Sequence, residues 1–326
     1  MGRAVRIREH GGPEVLELAE FSARPPGYGE ILVRVEAAGL NRADLLQRRG
    51  LYPAPPGSPA DIPGLEYAGV VEAIGEGVTE WKVGDRVMGI VGGGAMATHV
   101  TVSAREAIPV PSRLSSAEAA AIPEAFLTAY DALFLQAGLR MGESVLIHAV
   151  GSGVGTAALQ LAREAGALVI GTSRSQEKLD RGKAMGLEAS ILVEGGFAEK
   201  VREHTGGRGA DCILDLVGAA YFEENLAALA NRGRMICVGL LAGAKANLPL
   251  GTLLSKRITL IGTVLRSRAP EEKALLARRF ADEVLPLFER GRLSPVVEAV
   301  LPFEQVAEAH RLLESNRTFG KVVLAW

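Results

Sequence analysis

Cysteine is nearly absent: of 326 residues only Cys212 and Cys237 are cysteines. Each sits in an apolar run that reads as a buried strand. A disulfide framework is therefore excluded, and a reducing, cytoplasmic setting is expected. An excess of charge of one sign is missing too, since 36 Lys and Arg face 38 Asp and Glu for a net charge of −2. That balance removes the field that would gather nucleic acid or an anionic membrane surface, and a small molecule becomes the expected partner. No apolar run reaches the roughly 18 residues of a membrane span. The opening Met1-Gly2-Arg3-Ala4-Val5-Arg6 has no secretory pattern, so neither export nor anchoring is expected. Internal repeats and low-complexity stretches are also lacking.

The length favours two domains, each with a core of its own. Over the first ~120 residues, short runs such as Ile31-Leu32-Val33-Arg34-Val35 and Ala68-Gly69-Val70-Val71 are punctuated by Pro and Gly, the pattern of strands and turns. Four prolines in Tyr52–Pro59 block helix and central strand alike and predict a stiff surface loop. From about residue 120 apolar strands alternate with helical patterns, as in βαβ units around a parallel sheet. Strands are expected at 145–149, 168–172, 212–215 and 235–238, and helices at 153–166, 176–185 and 221–230. An amphipathic helix is expected at 271–290. The final run Gly320–Leu324 predicts a strand that rejoins the first domain, making the second domain an insert.

The strand Ser144–Ala149 leads into Val150-Gly151-Ser152-Gly153-Val154-Gly155, after which Ala157, Ala158, Leu161 and Ala162 recur at helical spacing. A strand, a glycine turn and a helix start form a cradle for a pyrophosphate. The turn lets the backbone approach, and the free N–H groups of the helix meet the charge. The strict G-x-G-x-x-G spacing fails at Thr156, so the βαβ context carries this reading. An Asp or Glu at the end of the next strand would hold the ribose 2′-OH of NAD. Here the chain reads Thr172-Ser173-Arg174-Ser175-Gln176-Glu177-Lys178. Hydroxyls with the cations of Arg174 and Lys178 suit the extra phosphate of NADP instead.

Several strings together carry a resemblance: Ala38-Gly39-Leu40-Asn41-Arg42-Ala43-Asp44, Pro63-Gly64-Leu65-Glu66-Tyr67-Ala68-Gly69, Val83-Gly84-Asp85-Arg86-Val87, Ala120-Ala121-Ile122-Pro123, Leu127-Thr128-Ala129 and the glycine loop. Over essentially its whole length the chain resembles the medium-chain dehydrogenase/reductase superfamily, in particular its zeta-crystallin-like quinone oxidoreductase branch. Asn41–Leu45, Gln47–Tyr52 and Leu265–Arg268 are most similar to the p53-inducible quinone reductase subgroup. The resemblance implies an α/β protein with a GroES-like β-rich catalytic domain (1–122 and 264–326) and a Rossmann doubly wound parallel-sheet domain (123–263). Where zinc members of the superfamily place a Cys and a His, this sequence has Asn41 and Leu65. Neither supplies the thiolate or imidazole that tetrahedral Zn²⁺ requires, so no metal is expected. The five histidines are dispersed and read as packed or surface residues.

Without a Lewis acid the acceptor must be activated already, as quinones and conjugated enones are. The protein then mainly orients cofactor and acceptor and excludes water. The resemblance gives NADPH-dependent quinone reduction as the leading expectation. An alkene or enoyl-thioester reductase is the enzymatic alternative, and a nucleotide-binding structural or RNA-binding protein the alternative of another class. It implies that Asn41 and Tyr52 lie in the substrate cleft, with Tyr52 able to donate a proton, and that Thr128 holds the nicotinamide carboxamide. Further implied cofactor contacts are Gly151, Ser152, Gly153, Val154, Gly155, Ser173, Arg174, Lys178, Gly239, Leu240, Leu241, Val264, Leu265, Arg266, Asn316 and Lys321. One departure stands out: the tyrosine that relatives place on the 2′-phosphate is matched here by Val193. The resemblance also implies a homodimer or tetramer, paired along an edge near Thr259–Val264.

Overall fold

A computed structural model describes residues 2–326. They divide into two compact units, one comprising the residues up to Leu127 together with Leu265–Trp326, the other Thr128–Val264.

The first unit opens with β1 (Gly2–Ile7), β2 (Leu16–Phe21) and β3 (Glu30–Gly39), followed by α1 (Arg42–Arg48). Then come β4 (Glu66–Ile74), β5 (Arg86–Ile90), β6 (His99–Ser103), β7 (Ile108–Pro109), α2 (Ser116–Ala119) and α3 (Pro123–Tyr130). The second unit alternates strictly: β8 (Ser144–Ile147), α4 (Gly153–Glu164), β9 (Leu168–Ser173), α5 (Gln176–Ala184), β10 (Ala189–Leu192), α6 (Ala198–His204). It continues with β11 (Ala210–Asp215), α7 (Phe222–Ala228), β12 (Leu229–Cys237), α8 (Leu250–Lys256) and β13 (Thr259–Gly262). The chain then returns to the first unit with α9 (Pro270–Glu283), α10 (Leu285–Glu289), β14 (Val297–Pro302), α11 (Val306–Glu314) and β15 (Lys321–Ala325).

In the first unit a seven-stranded sheet runs β14-β15-β3-β4-β5-β7, with β6 also paired to β3. Its period-2 pattern is plain in β3, where Ile31, Val33 and Val35 are buried and Arg34 is exposed. These side chains meet Tyr67, Val87, Met96, Phe303 and Leu324 in one core, each such apolar side chain contributing about 1.5–3 kcal/mol on burial. β15 lies between β14, with which it is parallel, and β3, with which it is antiparallel. The last run of the chain thus rejoins the first sheet, as its apolar character suggests.

The second unit is a six-stranded parallel sheet ordered β10-β9-β8-β11-β12-β13. This is the doubly wound order, and its direction reverses between β8 and β11, where such sheets hold ligands at the carboxyl ends of their strands. Leu146, Ile170, Ile213 and Met235 fill its core.

Two local expectations differ from the structure. The helix expected over 271–290 is two helices that break at Val284, because Pro286 cannot donate its N–H into a continuing helix. The helix expected over 221–230 stops at Ala228, where Leu229 turns extended and begins a longer β12.

Candidate active site

The turn after β8 is built for close backbone approach. Ala149 sits at φ +47°, left-handed space that an alanine enters only under constraint. Ser152 caps α4 by accepting the Gly155 N–H at 3.0 Å. A Cβ on Gly155 would lie 2.5 Å from the Ala149 carbonyl oxygen and 2.7 Å from that of Val150, so only glycine lets the helix start pack against the turn. Gly151, Ser152, Gly153, Val154 and Gly155 thus come together at the sheet's switch point with the first N–H groups of α4 beside them. A pyrophosphate fits this cradle.

A buried chain of hydrogen bonds fixes the turn from beneath. The Asn225 amide nitrogen donates to Asp215 Oδ2 at 3.3 Å, which leaves Asn225 Oδ1 to accept from His148 Nε2 at 2.6 Å. His148 Nδ1 then accepts the Thr172 hydroxyl at 2.8 Å. This assignment requires a neutral imidazole. Burial, the largest influence, holds His148 below its usual pKa. Asp215 in turn accepts the N–H groups of Val217 and Gly218 at 2.8 and 3.0 Å. The network ties the ends of β8, β9 and β11 to α7.

At the end of β9, Ser173 Oγ accepts the Ser175 N–H at 3.0 Å, and Ser175 caps α5 by accepting the Lys178 N–H at 3.4 Å. Arg174 is exposed beside this helix start, with its charge near the Tyr221 phenol. The backbone N–H of Val193 donates to Ser173 O at 2.9 Å, so Val193 borders the same corner. Gly239, Leu240, Leu241 and Val264 follow β12 and β13 at the same carboxyl edge, with Leu240, Leu241 and Val264 exposed. Thr128 is buried on α3.

In the first unit the expected residues are drawn into one polar cluster. Asn41 begins α1, its N–H donating to Asp44 Oδ2 at 2.7 Å and its amide nitrogen to Glu66 Oε1 at 2.8 Å. Lys321, buried on β15, spends its ammonium on Leu40 O, Asn41 Oδ1 and Glu66 Oε1, each at 2.6 Å. The other Glu66 oxygen accepts the Glu124 N–H at 2.8 Å, so a carboxylate already occupies the N-terminus of α3. Asp44 also accepts the Gly64 N–H at 3.0 Å; burial, outweighing these bonds, pushes its pKa up to about 6.

Arg266 donates to Gly92 O at 2.8 Å, Tyr52 O at 3.3 Å and Gln47 Oε1 at 2.5 Å, and its guanidinium lies 4.8 Å from the centre of the Tyr52 ring. Tyr52 is half-buried and is thereby positioned by Arg266, with its phenol held above its usual pKa chiefly by burial. Leu265 is buried beside it in sequence. Asn316, at φ +58° in an exposed turn, contacts Arg42.

Sequence reasoning did not single out Asp44, Glu66 and Glu124 as site residues. Asp44 had a readable signal, since Asn41-x-x-Asp44 is a helix-capping pattern. Glu124 follows Pro123 at a helix start and looks like any first-turn acid. Among the described residues no group of three His, Cys, Asp or Glu could hold a metal ion.

Comparisons with known proteins agree with this architecture. Residues 27–112 match the alcohol dehydrogenase GroES-like domain, and residues 153–282 match the zinc-binding dehydrogenase family. The chain is similar to the quinone oxidoreductase of Rattus norvegicus, 34% identical over 331 residues that cover 99% of this chain and 97% of the relative. Among solved structures, it resembles an NAD-dependent alcohol dehydrogenase (38% identical, TM-score 0.89, 99% of both chains). A mycobacterial protein complexed with NADPH is 31% identical, with a TM-score of 0.89 over 100% of both chains. The JamJ enoyl reductase is 28% identical, with a TM-score of 0.88 over 99% of both chains.

Proposed function

From the premise that the chain belongs to the zinc-free quinone oxidoreductase branch of the medium-chain dehydrogenase/reductase superfamily, we propose that it is an NADPH-dependent reductase of quinones. The observation that carries the cofactor reading is the corner after β9. Ser173 and the exposed Arg174 stand where an NAD-binding chain would offer an acid, and they suit a 2′-phosphate. When bound, the reduced nicotinamide supplies a hydride with its electron pair. The protein's part is to seat the pyrophosphate at residues 151–155, hold the 2′-phosphate with Ser173, Arg174 and Lys178, and fix the carboxamide with Thr128. Gly239–Leu241 and Val264–Arg266 border the cofactor in this reading, and Asn316 completes the C-terminal contact. Asn41 and Tyr52 orient the acceptor. Asn41 and Leu65 stand where zinc members carry ligands, which favours an acceptor that needs no Lewis acid.

NADPH and NADH oxidation in EDTA with benzoquinone, phenanthrenequinone and crotonyl-CoA tests the reading. Quinone turnover that prefers NADPH and ignores EDTA is expected. Turnover with the thioester alone would move the protein to the enoyl reductases, a second reading favoured by its likeness to the JamJ enzyme. Binding of NADPH without any turnover would leave a nucleotide-binding structural role.

A homodimer is part of the same proposal. β13 is an edge strand with Thr259 and Gly262 exposed, and a second copy would cover its unpaired backbone. Light scattering that returns a monomer overturns this. No helix among the described residues is long and apolar enough to cross a membrane. A cytoplasmic setting suits Cys212 and Cys237, both unpaired and pushed up by burial to about 12 and about 11.

A further inference from the structure

Beyond Tyr130, where α3 ends, the chain keeps turning but changes its winding. Asp131–Gln136 form a π-helical turn, in which the Ala137 N–H donates to Ala132 O at 3.0 Å. Such turns are rare overall and concentrated at functional sites. In an α-helix, side chains at i and i+5 point about 140° apart and do not face each other. The wider turn brings Gln136 over Asp131, and Gln136 Nε2 donates to Asp131 Oδ1 at 3.2 Å. Asp131 Oδ2 accepts the Thr263 hydroxyl at 3.0 Å. The carboxylate is 1% exposed and has a donor on each oxygen, which fixes its plane. Thr263 is held in its turn, since its N–H donates to Cys237 O at 3.1 Å and continues the pairing of β12 with β13 past Gly262. Asp131 therefore ties the helix to the carboxyl ends of β12 and β13. Val264 follows Thr263 directly, and Gly239 follows closely on Cys237. Thr128 precedes Asp131 at the i, i+3 spacing and so shares its helix face. All of these residues belong to the second unit.

We propose that Asp131 is a positioning residue for the nicotinamide half of the cofactor: through Thr263 it sets the spacing between Thr128 and Val264. The inference rests on the cofactor reading above, in which Thr128 holds the carboxamide and Val264 borders the cofactor. A carboxamide presents a carbonyl acceptor and an NH₂ donor in one plane, so the groups that recognise it must keep a fixed separation. Here one of the two residues stands on a helix and the other on the backbone that leaves an edge strand. The bond from Asp131 to Thr263 secures the carboxyl end of that strand to the helix. The clamp serves the nicotinamide end alone. The pyrophosphate cradle at residues 151–155 and the 2′-phosphate corner at residues 173–178 lie at the ends of β8 and β9, on hydrogen bonds of their own. Loosening the clamp thus leaves the adenosine half of the dinucleotide seated while the nicotinamide loses its fixed partners.

The test separates the two halves of the cofactor and needs no turnover. NADPH and 2′,5′-ADP, which keeps the 2′-phosphate but has no nicotinamide, are titrated by calorimetry into wild type, Thr263→Val, Thr263→Ser and Asp131→Asn. Thr263→Val removes the hydroxyl at a half-buried position and keeps the shape of the side chain. It is expected to weaken NADPH about 10-fold, near the lower end of what a hydrogen bond to a charged group supplies, with 2′,5′-ADP unchanged. Thr263→Ser keeps the hydroxyl and should bind both nucleotides like wild type. Asp131→Asn keeps an oxygen for Thr263 but gives up the charge, so a smaller loss, again confined to NADPH, is expected. Should Thr263→Val fail to fold, Asp131→Asn decides by the same comparison. A folded Thr263→Val protein that binds NADPH like wild type overturns the proposal, and so do equal losses for NADPH and 2′,5′-ADP; both results leave the cofactor reading standing. A wild type that binds neither nucleotide overturns the cofactor reading and the positioning role with it.

Discussion

Replacing Gly155 with alanine should weaken NADPH binding by about 5- to 150-fold, a range that follows from the contacts of one methyl group. The added Cβ would stand 2.5 Å from Ala149 O, 2.7 Å from Val150 O and 2.8 Å from Val150 C. All three are backbone atoms, so no side chain can swing aside. Ala149 already holds left-handed backbone, which leaves the turn little slack. Overpacking of this kind costs about 1–3 kcal/mol, and about 1.4 kcal/mol is tenfold in affinity. Fluorescence titration of NADPH measures the loss, and urea denaturation checks that the variant is folded. Gly251→Ala is the control, because a Cβ there meets nothing within 4 Å. In α8 that change should raise stability by about 0.5–1 kcal/mol. A Gly155→Ala protein that binds NADPH as tightly as wild type would refute the cradle.

Three further outcomes are expected. Arg174→Ala should weaken NADPH by about 10- to 100-fold, the loss of a charge-assisted hydrogen bond, with NADH unaffected; equal losses for both nucleotides in parallel titrations would count against Arg174 as the phosphate contact. Lys321→Met strips the cation from buried Glu66 and should cost about 3–5 kcal/mol in urea unfolding, whereas a near-neutral result would mean that the pair adds nothing. Wild-type stability should decline between pH 6 and pH 8: Glu124 keeps its proton in the folded protein up to about 8 but releases it near 4.5 when unfolded, so stability present at acid pH is lost as pH rises. Asp44 acts with the same sign only up to about 6, and melts of Glu124→Gln at pH 6 and pH 8 should therefore show the upper window flattened.

What could be read from the sequence was local. The strand, glycine turn and helix at residues 144–164 announce themselves through apolar runs and short-range geometry, and so does the alternation that follows them. The tail strand was readable as an apolar run after Gly320, although its neighbours β3 and β14 were not. The 271–290 helix was misjudged because amphipathic spacing continues through Pro286 while the backbone hydrogen bonding does not. The acid cluster was out of reach for another reason. Asp44, Glu66, Glu124, Arg266 and Lys321 come from five separate segments, and only the sheet and the helices beside it bring them together. Burial and neighbouring charge, which set their proton affinities, have no counterpart in spacing along a chain. Asn316 and Lys321 are close in sequence, yet the first faces solvent beside Arg42 and the second is buried against Asn41.

The placement of β15 also orders events in time. Its Lys321 contacts Asn41, 280 residues earlier, and β15 itself fills the gap between β3 and β14. During synthesis the second unit is one unbroken stretch that can close as it emerges, whereas the first must wait with a sheet that has a missing stave. Until that stave arrives, Glu66 has no cation and the edge of β3 is open. A chain that lacked β15 would carry a complete parallel sheet in its second unit and an incomplete sheet in its first, with the edge of β3 left open to pair with other chains.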